Sequence, residues 1–231
     1  MQRHYFFTYW YAKKAPPKIS VHSIITGSAP ASTKKLVQAV VEYGLTLHLL
    51  DCTPEHGTPS VAAVLTKPGL GWFLGMATKQ DYGQAIERAV CEALSVYTWV
   101  MDAPSNSEAF LFSNPTLPEG FCDKSVTDAK RIHAWSQPEV AKNGDFFLQG
   151  KKRIFDNLVK KPSVSAVEAL IVLTKKQMFV AHAKQNYLDE VGFHSARIVA
   201  PHLYRLSLYE RFSTPVLDGV EPKNIYPHPF P

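Results

Sequence analysis

Cysteine is scarce in this chain, and the three that occur, Cys52, Cys91 and Cys122, lie far apart in its 231 residues. An odd number of isolated cysteines argues against a disulfide framework and favours a reduced, cytoplasmic setting. No apolar run reaches the roughly 18 residues that a membrane-spanning helix needs. The aromatic start of the chain lacks the basic and then apolar layout of a secretory signal. These absences exclude a membrane protein and a small disulfide-stabilised secreted protein.

The common signatures of cofactor and metal sites are also missing. Gly69, Gly71 and Gly75 miss the dinucleotide-binding glycine pattern by one residue, and the segment 144–152 fails the P-loop pattern in spacing and in its final residue. There is no C-x-x-C, no H-E-x-x-H and no G-x-S-x-G. The nine histidines are dispersed, and we interpret each as a surface or core residue.

The composition is that of a globular domain, with 45% hydrophobic and 19% charged residues. Lys and Arg number 25 against 20 Asp and Glu, a formal net charge of +5. An excess this small suits a phosphate-bearing ligand or an acidic partner, and does not indicate a nucleic-acid binder.

Helices and strands alternate irregularly, which predicts an α+β fold with a largely antiparallel sheet packed against helices. We expect a single domain over 1–231, with an extended proline-rich tail at 203–231. The predicted helices are 1–12, 32–43, 81–100, 126–135, 151–159, 164–173 and 186–191. The predicted strands are 45–50, 60–65, 72–74, 178–182 and 194–199.

The first predicted helix carries aromatic residues on more than one side, at Tyr5, Phe6, Phe7, Tyr9, Trp10 and Tyr11. It should therefore be buried on most sides. Chain termini usually fray, so this pattern suggests that Met1 is not the natural start of the domain.

Arg88 and Glu92 lie four residues apart on the clearest helix, so they share one of its faces. From spacing alone, a surface ion pair of about 0.3 kcal/mol is the simplest interpretation. Both residues, however, border the apolar face. A partly buried Arg can bind a phosphate through two hydrogen bonds, and a neighbouring Glu can orient that Arg or hold a metal ion through water.

The last six residues alternate proline with other residues, at Pro227, Pro229 and Pro231. One interpretation is a proline-rich ligand for an aromatic groove. The other is a stiff rod that places the terminal carboxylate at a defined point, where it acts as a proton acceptor or an anchor.

Together these features resemble the YcaO family of ATP-dependent enzymes that modify peptide backbones. The segment Ala85–Ala93 is similar to the family's R-A-x-x-E-A helix, and Asp51-Cys52-Thr53 with Gly57-Thr58-Pro59 is similar to its D-x-T and G-x-P run. Phe193 to Pro201 resembles the C-terminal region. The terminal prolines resemble those of the family's azoline-forming branch. This branch comprises the D-proteins that make thiazole/oxazole-modified microcins, which are bacteriocins and ribosomally synthesised, post-translationally modified peptides (RiPPs).

The resemblance implies a cyclodehydratase that uses ATP and Mg²⁺ to convert Cys, Ser or Thr of a ribosomal precursor peptide into thiazoline or oxazoline. Arg88 and Glu92 would contact nucleotide and metal, and Gln2 and Arg3 would end the family's E-x-x-[EQ]-R motif, with Gln2 near the metal. Pro227, Pro229 and Pro231 would organise the active site, with the Pro231 carboxylate as the candidate base.

The chain departs from the family at its start. The Glu of E-x-x-[EQ]-R would lie two residues before Met1, and the S-x-x-x-E-x-x-E-R motif is missing, so we expect the chain to be the C-terminal portion of such an enzyme. The alternatives are a non-catalytic scaffold that assembles with a partner, or a related modification such as thioamidation. The resemblance also implies a leader-binding partner protein and a flavin dehydrogenase acting on the product. Self-association into a homo-oligomer is a separate expectation, as a way to complete the site.

Overall fold

The structure is a computed structural model. It describes residues 2–54, 57–102 and 128–159, the strands 179–183 and 195–199, and the single positions 168, 190 and 229. The described helices are α1 (Gln2–Tyr11), α2 (Val21–Thr26), α3 (Ala31–Glu42), α4 (Tyr82–Asp102), α5 (Asp128–Trp135), α6 (Pro138–Ala141), a 3₁₀ helix (Lys142–Leu148) and α7 (Phe155–Val159). The strands are β1 (Lys18–Ile19), β2 (Thr46–Asp51), β3 (Ser60–Thr66), β4 (Phe73–Thr78), β5 (Lys152–Arg153), β6 (Phe179–Ala183) and β7 (Ser195–Val199).

The main sheet has five strands in the order β4-β3-β2-β1-β5. Its pairs are antiparallel except β1 with β5, which run parallel. Strands β6 and β7 form a separate antiparallel pair. The α+β class and the largely antiparallel sheet predicted from the sequence are therefore confirmed.

Helices cover both faces of the main sheet, because each strand alternates its side chains between two apolar clusters. The aliphatic face packs α2, α3, α4 and α7 against one side, with Leu49, Ala63 and Phe73 pointing toward these helices. The aromatic face packs α1, α5, α6 and the 3₁₀ helix against the other side, over Val64 and Leu74. The sheet is thus the middle layer, and its two faces differ in the size of the side chains that cover them.

The larger predicted elements within the described residues are present, with ends shifted by at most four residues. The aromatic helix at the start is buried as expected, and Phe6, Phe7 and Trp10 are fully enclosed. Helix α3 begins at Ala31, directly after its N-cap Pro30, and the Ser32 hydroxyl in its first turn donates to Glu87.

Several short elements were missed or misassigned. Strand β1, helices α2 and α6 and the 3₁₀ helix were not predicted, because segments this short carry no readable hydrophobic period. The helix predicted over 151–159 is a two-residue strand followed by α7, since tertiary pairing with β1 overrides local helix propensity. The helices predicted at 164–173 and 186–191 lie almost entirely outside the described residues. Among the helices that the structure describes, none is long and apolar enough to cross a membrane.

Candidate functional site

Helix α4 starts at a side-chain cap and lies directly on the sheet. The Asp81 carboxylate accepts a hydrogen bond from the Gln84 amide at 2.8 Å, which satisfies an amide in the first turn of the helix. The alanines at positions 85, 89 and 93 are fully buried against the sheet. Arg88 and Glu92 are therefore held on the flank of this buried face, one turn apart.

Gly75 of β4 sets the distance between the strand and the helix. A Cβ atom at this position would lie 2.2 Å from the Ala89 carbonyl oxygen and 2.3 Å from the Ala93 amide nitrogen. Only glycine allows so close an approach of the two backbones. The closest contact of α4 with the sheet is thus at the turn that carries Arg88 and Glu92.

Glu92 is attached to the edge of the sheet. Its Oε2 accepts a hydrogen bond from the Met76 amide at 3.2 Å, so that amide points away from β3. Arg88 is exposed, and within the described residues it makes no ion pair or side-chain hydrogen bond. The simple ion pair between Arg88 and Glu92 is therefore absent here, and the guanidinium faces solvent beside a fixed carboxylate.

Glu87, the residue before Arg88, ties α4 to α3. Its Oε1 accepts hydrogen bonds from the Thr33 hydroxyl at 2.6 Å and the Ser32 hydroxyl at 2.7 Å. Thr33 is fully buried. These bonds join the first turn of α3 to the middle of α4 and restrict the rotation of the helix that presents Arg88.

Helix α1, which begins with Gln2 and Arg3, lies on the opposite face of the sheet from α4. Both helices contact β4, the strand at one edge of the sheet. The two segments singled out in the sequence thus converge on one strand from its two sides. The side chains of Gln2 and Arg3 lie outside the described part of the chain.

A buried polar cluster at the end of β2 was not identified as a site from the sequence. Asp51 is 2% exposed, and its Oδ2 accepts a hydrogen bond from the Arg153 guanidinium at 2.9 Å. The Tyr82 hydroxyl lies 3.1 Å from Thr53 Oγ1 and 3.3 Å from Asp51 Oδ1. Burial and the Asp51 charge raise the pKa of Tyr82, so its hydroxyl stays protonated. The cluster fixes Tyr82, the first residue of α4.

The family model described as YcaO cyclodehydratase, ATP- and Mg²⁺-binding, matches residues 1–204. This chain belongs to the YcaO cyclodehydratase family. The match includes α1, the Asp51 cluster and the α4 motif. A comparison with curated proteins finds no match.

Two solved structures of heterocyclases have a similar fold. One, described as "Heterocyclase in complex with substrate and Cofactor", gives a TM-score of 0.58 at 17% identity and covers 87% of this chain. The other, the heterocyclase TruD, gives a TM-score of 0.53 at 16% identity and covers 99% of this chain. The chain spans only 25% and 31% of their respective lengths. Identities this low support the mixed α+β fold alone.

The described residues of this YcaO chain fit a nucleotide phosphate better than a complete metal site. No group of three His, Cys, Asp or Glu side chains able to hold a metal occurs among them. Magnesium in nucleotide enzymes, however, commonly takes only one or two carboxylates, with water and phosphate oxygens completing its shell. The Oε1 atom of Glu92 matches this reduced requirement, and the Arg88 guanidinium suits the phosphate oxygens instead.

The proline tail is described at one position only. Pro229 is buried, while Pro227 and Pro231 lie outside the described residues. The role expected for the Pro231 carboxylate therefore stays a prediction. Of the site residues predicted from the sequence, the structure brings together Arg88 and Glu92, and it places α1 on the other side of the same strand.

Proposed function

We propose that this chain is the C-terminal, nucleotide-contacting portion of an ATP- and Mg²⁺-dependent peptide cyclodehydratase. The substrate would be a ribosomal precursor peptide, whose Cys, Ser or Thr residues become thiazoline or oxazoline rings. Support comes from the family match over residues 1–204, whose description names ATP and Mg²⁺. The carrying observation is the arrangement at the β4 edge, where Glu92 is bonded to Met76 and Arg88 stands exposed one turn away.

This arrangement suits phosphoryl transfer to an amide oxygen. An amide oxygen is a poor leaving group, and Mg-ATP when bound supplies the phosphoryl group that makes it a good one. The Arg88 guanidinium would bind phosphate oxygens through two hydrogen bonds and offset their negative charge. Glu92, fixed through Oε2, would direct Oε1 toward a phosphate-bound magnesium ion. Because the packing of α4 holds the backbone of both residues and Met76 holds Glu92, only the Arg88 side chain would have to be ordered on binding.

Other residues of the chain would complete the site. Gln2 and Arg3 would contribute from α1, on the other side of β4, with Gln2 near the metal. Pro227, Pro229 and Pro231 would form a stiff tail that brings the terminal carboxylate to the substrate, where it would accept a proton. A separate leader-binding protein would select the precursor peptide, a flavin dehydrogenase would oxidise the azolines to azoles, and the chain would act in a homo-oligomer.

A calorimetric titration of the full chain with Mg-ATP tests the nucleotide site. We expect saturable binding that Arg88→Ala weakens by about tenfold or more, because a hydrogen bond to a charged group contributes about 1.5–3 kcal/mol. Gln84→Ala, also exposed on α4, is the matched control and should bind as the parent does. At about 100-fold excess over Kd, the ligand should also stabilise the fold by about 2.7 kcal/mol.

Glu92→Gln separates the metal role from the structural one. The amide oxygen of Gln can still accept the Met76 hydrogen bond, so the thermal midpoint should change little. Binding of ATP should, however, lose most of its dependence on magnesium. Absence of any ATP binding by a folded chain would contradict the proposal and favour a non-catalytic scaffold. Product mass in a reconstituted reaction distinguishes ring formation, which removes one water per ring, from thioamidation.

A further inference from the structure

Among the described strands, β5 forms the edge of the main sheet opposite to β4, and it is bonded on one side only. The Lys18 amide donates to the Lys151 carbonyl and the Ser20 amide to the Arg153 carbonyl, each at 2.9 Å. Since backbone groups alternate along a strand, the amide and carbonyl of Lys152 point outward. Neither group has a partner within the described residues. This edge can therefore pair with one more extended chain.

Basic side chains are concentrated along this edge. The segments 16–19 and 150–153 run side by side, with Gly150 packed against the backbone of Pro16. We call the cations of these two segments the basic edge: Lys18, Lys151, Lys152 and Arg153. Within the described residues, the only carboxylate bonded to the basic edge is that of Asp51, which forms an ion pair with one guanidinium nitrogen of Arg153.

Two lysines of the basic edge repel each other. Lys18 and Lys152 are register neighbours on adjacent strands, so their side chains project from the same face. Burial lowers the pKa of Lys18, and the charge of Lys152 lowers it further. Like charges in neighbouring positions on adjacent strands destabilise a sheet. A negatively charged partner would relieve this repulsion.

Protection of the edge against aggregation is the competing explanation, because lysines commonly serve that purpose on edge strands. Protection would require charge on β5 alone, whereas the basic edge extends to Lys18 on β1. The residue that follows β5, Ile154, is also 53% exposed. An exposed apolar side chain beside open backbone groups favours pairing and does not prevent it.

We propose that the basic edge binds an acidic, extended peptide segment that pairs its backbone with Lys152 as an added strand. Its carboxylates would lie against Lys18 and Lys152 on one face and against Lys151 and Arg153 on the other, and an apolar residue would cover Ile154. Open backbone groups favour a peptide over a nucleic acid, which cannot extend the ladder. Because β4 and β5 are opposite edges, this surface is separate from Arg88 and does not depend on the nucleotide chemistry.

Fluorescence anisotropy with a labelled peptide of alternating Glu and Val tests the proposal on the full chain. The double variant Lys151→Glu/Lys152→Glu should weaken binding by about tenfold or more, since it replaces attraction by repulsion at exposed positions. The control Lys34→Glu/Lys35→Glu makes the same change of net charge on α3 and should bind as the parent does. Equal loss in both double variants, at unchanged thermal midpoints, would overturn the proposal, because binding would then follow net charge alone.

Two further probes separate strand pairing from charge attraction. The same peptide with N-methylated Val amides should bind several-fold more weakly, because it cannot form the added ladder. A single-stranded oligodeoxynucleotide should compete poorly. Tighter binding of the oligonucleotide than of the peptide, or an unchanged affinity after N-methylation, would contradict peptide pairing. Arg88→Ala should leave the peptide affinity unchanged, so failure of the nucleotide proposal and failure of this one are distinguishable.

Discussion

The two faces of the main sheet hold their helices by different means. On the aliphatic face, small residues such as Gly75, Ala89 and Ala93 let the backbone of α4 lie directly on β4. On the aromatic face, the rings of α1 pack among other rings, and Trp10 lies 5.3 Å from Trp135 and 5.4 Å from Phe147 between ring centroids. Position is set by backbone contact on one side and by interlocked large side chains on the other.

This difference matters because each face carries one of the segments that resemble the family's nucleotide motifs. The contact of α4 cannot be adjusted by rotating a side chain, so the backbone positions of Arg88 and Glu92 are fixed with little freedom. Helix α1 depends on the completeness of its aromatic packing, and it carries Gln2 and Arg3. Substitutions in the two faces should therefore differ in how much stability they cost and in which of the two helices they displace.

The largest effect is expected from Trp10→Ala on the aromatic face. Trp10 is fully buried, and removing its ring should leave a cavity that costs about 3–5 kcal/mol of the free energy of unfolding. Urea denaturation followed by circular dichroism measures this loss. Trp99→Ala removes the same side chain where it is 43% exposed, and should cost much less. If Trp10→Ala does not fold, Trp10→Phe should show a smaller loss in the same direction, and an unchanged midpoint would contradict the packing described.

A smaller effect is expected from Gly75→Ala on the aliphatic face. The added Cβ would overlap the backbone of α4, and moving the helix away should cost about 2–3 kcal/mol. Hydrogen exchange of the Met76 amide should also become faster, since its bond to Glu92 depends on the helix position. Gly69→Ala is the control, because that residue has a φ of +79° and open space around it. Its cost should be only about 1 kcal/mol, from backbone strain, and equal costs would contradict this argument.

The sequence predicted more of the fold than of the site. The periodicity of α4 and its Asp81 cap are local signals, so the helix and its Arg88–Glu92 flank could be anticipated. The Asp51 cluster could not, because its partners Tyr82 and Arg153 come from distant parts of the chain. The available signals were a charged residue at the end of an apolar strand and the resemblance of Asp51-Cys52-Thr53 to the family's D-x-T run. The hydrogen bond from Met76 to Glu92 is equally non-local, and spacing within the helix suggested an ion pair instead.

The smallest effect expected is a dependence of stability on pH, which arises from a histidine on the aromatic face. His48 lies on the same side of β2 as Leu50, toward the aromatic face, and burial together with the nearby Lys18 charge lowers its pKa from 6.5 to about 4. Between these values the unfolded chain binds the proton and the folded chain does not. Stability from this residue is therefore complete above pH 6.5 and is lost as the pH falls toward 4.

In the parent chain this protonation should lower the free energy of unfolding by about 1–2 kcal/mol, after allowance for the partial exposure of the ring. His48→Gln should abolish that decrease and so flatten this part of the curve of stability against pH. Urea midpoints at closely spaced pH values measure the slope. His22→Gln, at an exposed position on α2, should leave the slope unchanged. Lys18→Gln should reduce the slope without abolishing it, because burial is the larger cause of the shift and the Lys18 charge the smaller. An identical slope in the parent chain and in His48→Gln would show that acid sensitivity arises elsewhere, and would remove this difference between the two faces.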